Sequence, residues 1–406
     1  MMPLAVLALA AGVHTGFEAG NLGGAEWVSK DHLRCAVQGE SDQDRRNRQP
    51  SWFYFRVDNV RGRDLTVDIT NLAGEYNYRK HDGSGLRNTK PVYSYDNRNW
   101  VHLDNAGWVA GESAIRIRLK PEKNTVWIAR QPPYTNADLE RLLGQVRAGG
   151  FVREETVGKT PEGRPMRLLT VTNPRVPDAT KKVIWLMARQ HSWESGTSWV
   201  LEGALRFLVS GEASARRIRD GAVFRIFPMA DPDGVARGGV RFNKWRYDLN
   251  RNWDNVDPER MPEIHAQREA ILKWVDSGNR IDLFLTLHNT ESADYIEGPL
   301  TAGGPQVKEL GERFWKLLDS TTAFHSPQGA RDGRVSTTPG MKGRMSVNQG
   351  LFHDREIPAF LMELMVDRSP KLGRCPTVAD RLEFGAGLVR AMASAVGVEL
   401  PAARGR

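Results

Sequence analysis

The chain has 406 residues, of which 40% are hydrophobic and 26% are charged. This composition is typical of globular proteins and excludes a collagen-like, disordered or disulfide-dense chain, and the length suggests roughly two or three domains. The net charge is +8, but the basic residues are scattered and form no long block, so we expect no nucleic-acid partner.

Residues 1–15 contain the longest apolar run of the chain. It is shorter than the roughly 20 residues that a membrane-spanning helix needs, so we expect no stable membrane insertion. Ala8-Leu9-Ala10 matches the A-x-A pattern of a signal-peptide cleavage site, although no basic residue precedes it. We interpret this segment as the remnant of an export signal and favour a periplasmic or secreted location over the cytoplasm. The alternative is a disordered apolar N-terminus.

Residues 16–132 alternate apolar and polar side chains with period two, in short runs separated by Gly, Asn, Asp and Pro. Phe53, Phe55 and Val57 form one such apolar set, and Ile115 and Ile117 belong to another. The pattern predicts an antiparallel β-sandwich domain.

Residues 133–400 show a different pattern, in which continuous apolar strands alternate with amphipathic helices. The segment begins with a helix that Asn136 is expected to cap. Strands are predicted at 183–187, 223–227, 283–287 and 359–364, and helices at 197–208, 262–275, 305–318 and 378–396. This alternation predicts an α/β domain with a mixed, largely parallel sheet flanked by helices.

Cys35 and Cys375 are the two cysteines of the chain. They exclude a disulfide framework and any cysteine-based metal site, and one disulfide between them stays open.

Three predicted strands lead to side chains that suit a metal site. His191 and Glu194 follow the first, His288 closes the second and Glu363 belongs to the third. In an α/β sheet, active residues gather where strands end. His191, Glu194 and His288 would form a His₂Glu set, which suits zinc and leaves a fourth position open. Taken singly, a histidine in such a strand–loop corner is more often a hydrogen-bonded structural residue than a ligand.

Basic and turn residues lie between these strands. Pro232-Asp233-Gly234-Val235 is a turn signal, and Arg241 and Arg251 are close in the sequence, where a substrate carboxylate or a developing oxyanion could use them. From spacing alone, a basic loop exposed to water is the preferred interpretation.

The ordered combination of these motifs resembles the zinc carboxypeptidase family, and in particular its cytosolic carboxypeptidase-like branch. The resemblance runs from about residue 16 to 396. It is carried in the N-terminal part by Phe17-Glu18, Trp52-Phe53-Tyr54-Phe55 and Pro133-Tyr134-Thr135, and later by His191, Glu194, Ser198-Trp199-Val200, Gly203, Pro232-Asp233-Gly234-Val235, Arg241, Asp248-Leu249-Asn250-Arg251, His288 and Glu363.

The resemblance implies a zinc metallocarboxypeptidase with one Zn²⁺ per chain that acts on the C-termini of peptides or proteins. It implies that Glu363 is the general base and acid and that Arg241 polarises the scissile carbonyl. The zinc ligands would be His191, Glu194 and His288, and the substrate's terminal carboxylate would be held by Asn250 and Arg251.

The chain departs from the branch in two places and from the pancreatic-type enzymes in a third. Ser192-Trp193 stands where Pro-Gly is usual between the two ligands, and Asp231 replaces the usual Asn. No Tyr occurs after Tyr295, so the mobile Tyr of the pancreatic enzymes has no counterpart.

The segment before Glu363 is expected to form the pocket for the terminal side chain. It contains the basic residue Arg344, which suggests a preference for acidic (Glu or Asp) ends. A solvated loop charge explains Arg344 about as well, because long charged side chains are mostly exposed. Two alternatives stay open: an amidohydrolase or peptidase acting on peptidoglycan stem peptides, and a catalytically inactive binding protein on the same fold. The sequence leaves the oligomeric state open.

Overall fold

The computed structural model describes residues 11–43, 45, 47–76, 79–333 and 342–401. The proposed cleavage motif Ala8-Leu9-Ala10 lies outside the described residues. Within them, no helix combines the length and the apolar composition that crossing a bilayer requires.

The N-terminal part is built from short strands. They are β1 (Val13–His14), β2 (Gly24–Ser29), β3 (His32–Ala36), β4 (Glu40–Ser41), β5 (Arg48–Gln49), β6 (Tyr54–Asp58), β7 (Leu65–Thr70), β8 (Gly74–Tyr76), β9 (Arg79–His81), β10 (Val92–Ser94), β11 (Val101–His102), β12 (Ala106–Val109), β13 (Ala114–Leu119) and β14 (Thr125–Ala129).

Two five-stranded sheets, in the orders β1-β6-β14-β10-β11 and β12-β13-β7-β3-β2, enclose one apolar core. The alternation predicted from the sequence fills this core, since Phe55 and Val57 of one sheet and Ile115 and Ile117 of the other are fully or almost fully buried in it. The antiparallel prediction needs one correction, because β3 and β7 pair in parallel. No tight hairpin joins these two strands; the chain between them forms β4–β6 before it returns, which allows the same direction.

The second part contains strands β15–β22 and helices α1–α8. Its strands are β15 (Val152–Lys159), β16 (Pro165–Val171), β17 (Lys182–Ala188), β18 (Ala222–Phe227), β19 (Leu283–Thr290), β20 (Tyr295–Gly298), β21 (Ala330–Asp332) and β22 (Ala359–Met365). Its helices are α1 (Asn136–Val146), α2 (Ser195–Val209), α3 (Ala213–Gly221), α4 (Pro232–Ala236), α5 (Pro262–Asp276), α6 (Gly304–Thr321), α7 (Val347–Arg355) and α8 (Val378–Ala395).

These strands form one mixed sheet in the order β15-β16-β18-β17-β19-β22-β20-β21. The central pairs β18/β17, β17/β19 and β19/β22 are parallel, as is the edge pair β20/β21. The other pairs are antiparallel. The fold therefore agrees with the predicted mixed α/β sheet flanked by helices.

Strand β17 explains why the central strands are apolar throughout. Ile184 and Leu186 face one core, which contains residues of α1, α2 and α8, while Trp185 and Met187 face the other, which contains residues of α5 and α7. A strand covered on both faces needs apolar side chains at successive positions. The fold is thus a three-layer arrangement around the sheet.

The predicted cap of α1 is wrong by one residue. Thr135 is the N-cap, and it forms a reciprocal capping box with Asp138. The Asn136 side chain instead donates to Glu18 of the N-terminal part, at 2.8 Å.

Cys35 and Cys375 do not form a bond with each other. Both are buried free thiols, one in β3 and one shortly before α8.

Candidate active site

Three elements deliver the candidate metal ligands. The loop after β17 carries His191, Glu194 is the residue before α2, and His288 lies within β19. The side chains converge: His191 Nδ1 is 2.8 Å from Glu194 Oε1, His288 Nδ1 is 3.0 Å from Glu194 Oε2, and the two Nδ1 atoms are 3.3 Å apart. All three residues are at least 98% buried. The structure therefore brings the predicted set together.

The outer nitrogen of each histidine has a partner. His191 Nε2 is 3.1 Å from Asp248 Oδ1. His288 Nε2 is 3.2 Å from Gln190 Oε1 and 3.2 Å from Thr286 Oγ1. The Asp248 carboxylate favours an N–H at Nε2 of His191, which leaves Nδ1 to bind a metal, as in the ligand histidines of metal sites.

The pKa values of the three candidate ligands are shifted in different directions. Burial lowers the pKa of His288, against the opposing effect of Glu194, so its ring is neutral at pH 7. Burial and Arg241 lower the pKa of His191, but the carboxylates of Glu194 and Asp248 outweigh them and raise it. Burial raises the pKa of Glu194, yet the two histidines outweigh it and bring the value to about 2. Glu194 is therefore an anion, which is the form that binds a cation.

Glu363 lies next to this cluster in the sheet. In the parallel pair of β19 and β22 it is the register partner of His288. Both side chains therefore leave the same face of the sheet, from neighbouring strands that lie about 4.8 Å apart. Burial and the nearby Glu194 carboxylate hold the pKa of Glu363 well above its ordinary value. Among the described residues, none forms a hydrogen bond with its buried Oε2 atom.

Arg241 also contacts the cluster. Its Nε donates to Asp248 Oδ2 at 2.7 Å, and its Nη1 is 3.4 Å from His191 Nδ1. Burial raises the pKa of Asp248, but Arg241 and His191 outweigh it and hold the pKa well below its ordinary value. Asp248 is therefore a fixed anion between the guanidinium and the imidazole.

Asn250 and Arg251 follow Asp248 directly. Asn250 is buried, with Nδ2 3.3 Å from His288 Nε2, and its Oδ1 accepts the N–H of Val347 at 2.9 Å. Arg251 Nη1 donates to the carbonyl of Asn250 at 2.7 Å.

The segment with Arg344 lies beside these residues. Gly343 O accepts the N–H of Asn252, and Asp254 accepts the N–H groups of Gly343 and Met345. Arg344 itself is half-buried. The segment that carries Arg344 therefore lies against the loop of Asn252 and Asp254, which follows Arg251 in the chain.

Trp193, which departs from the family pattern, serves the contact between the two parts of the chain. Its ring is buried, with the Arg130 guanidinium 4.2 Å from the ring centroid, and it packs in a cluster with Trp52 and Tyr54. Arg130 also pairs with Glu291, in the loop that follows β19. A bulky residue is accommodated here because N-terminal side chains surround it.

Three polar residues of the site were missed. Asp248 lies in the motif used for the resemblance but was given no role; Gln190 immediately precedes His191, and Thr286 precedes His288 by two on the same face of a strand. Their positions beside the predicted ligands were the available signal. Their contacts with the histidines are evident only in the structure.

Comparison with known proteins agrees with this geometry. Residues 140–297 match the family described as zinc carboxypeptidase, and residues 13–130 match the cytosolic carboxypeptidase N-terminal domain. Human cytosolic carboxypeptidase 2 is 31% identical over 287 residues, covering 64% of this chain and 31% of that protein. The chain therefore spans about a third of the length of this relative.

Two solved structures resemble the whole fold. A metallo-carboxypeptidase from Burkholderia cenocepacia has a TM-score of 0.81 at 25% identity, covering 95% of this chain and 99% of its own. A protein described as a carboxypeptidase from Burkholderia mallei has a TM-score of 0.80 at 26% identity, covering 98% of this chain and 99% of its own.

Proposed function

We propose that this chain, which belongs to the zinc carboxypeptidase family, hydrolyses the C-terminal peptide bond of peptides or proteins with one zinc ion. One observation carries the proposal: His191, Glu194 and His288 converge on a single buried point beside Glu363.

The donor set fits zinc. Two imidazole nitrogens and a carboxylate are the ligands of many catalytic zinc sites, which keep a further position open. Their ligand atoms lie within 4.8 Å of one another, and Glu194 is a buried anion in contact with both rings. A cation bound by these atoms would offset the cost of burying that charge. Bound there, zinc would supply a Lewis acid that polarises a carbonyl and acidifies water.

Glu363 is the proposed general base and acid. It takes a proton from the attacking water molecule and returns it to the leaving amine, so the peptide bond breaks while the carboxyl ends the cycle unprotonated. Burial and the nearby Glu194 raise the pKa of Glu363, which makes its carboxylate a stronger base than an ordinary one.

Arg241 is the proposed electrophilic group. Its guanidinium is held by Asp248 at 2.7 Å and lies 3.4 Å from a ligand histidine, which suits a donor aimed at the oxygen of the scissile carbonyl. Negative charge develops on that oxygen in the transition state, and loss of one such donor typically lowers kcat by about 10²–10³.

Exopeptidase action is assigned to the segment that follows Arg241. Arg251, with Asn250 beside it, offers a charge-assisted contact to the terminal carboxylate of the substrate. Arg344, whose segment is hydrogen-bonded to the loop that follows Arg251, would favour an acidic terminal side chain. Anchoring the free carboxylate places the last peptide bond, and no other, at Glu363.

A pair of peptides tests this function. The purified protein is incubated with one peptide in two forms, with a free and with an amidated C-terminus, and the products are identified by mass spectrometry. We expect release of single C-terminal residues from the free form only, abolished by a zinc chelator. Cleavage of both forms at equal rates, or cleavage at internal bonds, would contradict a carboxypeptidase.

A further inference from the structure

We propose that Glu40, in the N-terminal domain (residues 13–130), is a positioning residue for Arg241. The inference rests on the proposed function, because it concerns the residue assigned to polarise the scissile carbonyl. It means that the N-terminal domain completes the active site, in addition to packing against the catalytic domain.

The Glu40 carboxylate contacts the backbone at the start of the arginine's loop. Its Oε2 atom accepts the N–H of Arg241 at 2.7 Å and the N–H of Phe242 at 3.0 Å. Its Oε1 atom lies 3.7 Å from Arg237 Nη2. The Glu40 side chain is 19% exposed, so these contacts are largely shielded from water. Two N–H groups that share one carboxylate oxygen are held in a defined orientation, and such charge-assisted bonds are stronger than neutral ones.

Close packing supports the same contact. Glycine occupies position 239, and a Cβ atom there would lie 2.8 Å from Glu40 Oε1 and 3.0 Å from Ser192 Oγ. Ser192 follows the ligand His191 directly. Glu40, the backbone at Gly239 and the ligand loop are therefore in van der Waals contact, with no room for a side chain between them.

A second backbone contact holds the far end of the same loop. Residues 242 and 248 form an antiparallel bridge, so the chain between them is a hairpin. Arg241 immediately precedes this hairpin, and Asp248 is its last residue. The N–H of Gln43 donates to the carbonyl of Arg246 within this hairpin, at 3.1 Å. The short stretch from Glu40 to Gln43 thus follows the hairpin from its base to its tip.

The position of this hairpin matters for the reaction. Arg241 donates to Asp248, and Asp248 faces the ligand His191. Electrostatic stabilisation depends on donors that are already in place when charge develops, and a displacement of about 1 Å can cost about 100-fold in rate. Loss of Glu40 leaves two N–H groups without their acceptor and frees the start of the hairpin to shift.

Two substitutions and a matched control test the proposal. Glu40→Ala removes the acceptor, whereas Glu40→Gln keeps an amide oxygen that can receive both N–H groups. Glu18→Ala is the control: Glu18 also reaches across from the N-terminal domain, accepting the N–H of Asn136 at 2.8 Å, but it contacts helix α1 and not the hairpin.

We expect Glu40→Ala to lower kcat by about 10- to 100-fold with KM changed by less than about threefold. Glu40→Gln should stay within about threefold of the wild-type kcat, and so should Glu18→Ala. In an Arg241→Ala background, Glu40→Ala should cause no further loss, because the two substitutions remove the same interaction. Hydrogen exchange gives a readout that needs no turnover: the amides of Arg241 and Phe242 should exchange faster in Glu40→Ala but not in Glu18→Ala.

Three results would overturn the proposal: wild-type kcat in Glu40→Ala, an equal fall in Glu18→Ala, or full additivity with Arg241→Ala. If the wild-type protein releases no C-terminal residue, the proposed function fails instead, and the exchange measurement still reports on the contact between Glu40 and the hairpin.

Discussion

His288 and Glu363 are register partners on adjacent parallel strands, although 75 positions of sequence numbering separate them. One residue of this pair belongs to the candidate ligand set and the other is the proposed base. Neighbouring side chains on a sheet keep a fixed separation, so the fold holds the base at a set distance from the ligand cluster. Strand pairing is a more rigid support for this geometry than a loop.

The zinc content of the purified protein is the first prediction. We expect about one zinc per chain, because the site offers one His₂Glu set. His288→Ala should remove the metal, whereas His325→Ala, a half-buried histidine paired with Asp319, should retain it. Elemental analysis by mass spectrometry measures both. Equal zinc in the two variants would exclude His288 as a ligand.

Asp248→Asn should weaken zinc binding by about 10- to 100-fold, because Asp248 orients His191 through Nε2. Competition with a fluorescent chelator measures the affinity. Asp257→Asn, at a half-exposed carboxylate outside the cluster, is the control. An unchanged zinc affinity in Asp248→Asn would show that this outer contact does not support the site.

Asp231 makes the stability of the protein depend on pH. Burial raises its pKa from 3.8 to about 7, and nearby Glu263 and Glu40 add to this against the effect of Arg237. The folded state then binds more protons than the unfolded state between about pH 4 and pH 7, so the contribution of Asp231 to the free energy of unfolding falls as pH rises through this range and is constant above it.

Asp231→Asn removes this titration and keeps the acceptor for the N–H of Gly234, which Asp231 Oδ1 receives at 2.8 Å. The variant should gain roughly 2–4 kcal/mol over the wild type at pH 8 and little at pH 4. Urea unfolding at both pH values measures the difference. A gain that is the same at pH 4 and pH 8 would contradict the raised pKa.

Arg344→Ala tests the acidic preference. We expect it to lower kcat/KM for a Glu-terminated peptide by about tenfold or more, and for a Leu-terminated peptide by much less, because a charge-assisted contact is lost only for the first. Lys342→Ala, at an exposed residue two positions away, is the control. Equal losses of kcat/KM for both peptides would show that Arg344 does not determine the preference for the terminal side chain.

Much of the fold could be predicted because the burial of a strand or helix determines the pattern of apolar residues in its sequence. The strands β17, β18, β19 and β22 are covered on both faces and therefore have continuous apolar runs, which predict their positions to within about three residues. Strand β15 was missed because it is a half-exposed edge strand with the sequence Val-Arg-Glu-Glu-Thr-Val-Gly-Lys. Helix α7 has weak apolar periodicity and was missed for a similar reason.

The candidate ligands could be predicted because strand ends converge at one edge of an α/β sheet. The contacts that support them could not. Glu40 lies about 200 positions before Arg241, in a short strand with no motif, and its role depends on how two domains pack. Likewise the sequence shows Trp193 only as a departure from the family pattern, whereas in the structure Arg130 and neighbouring aromatic rings surround it.

Glu363→Gln tests the central claim most directly when zinc content and turnover are measured on the same preparation. Glutamine keeps the size of the side chain and none of the proposed ligands changes, so we predict about one zinc per chain together with a loss of kcat of at least about 10³-fold. Turnover like that of the wild type in the zinc-loaded variant would contradict the account, because the proton would then be carried by another group.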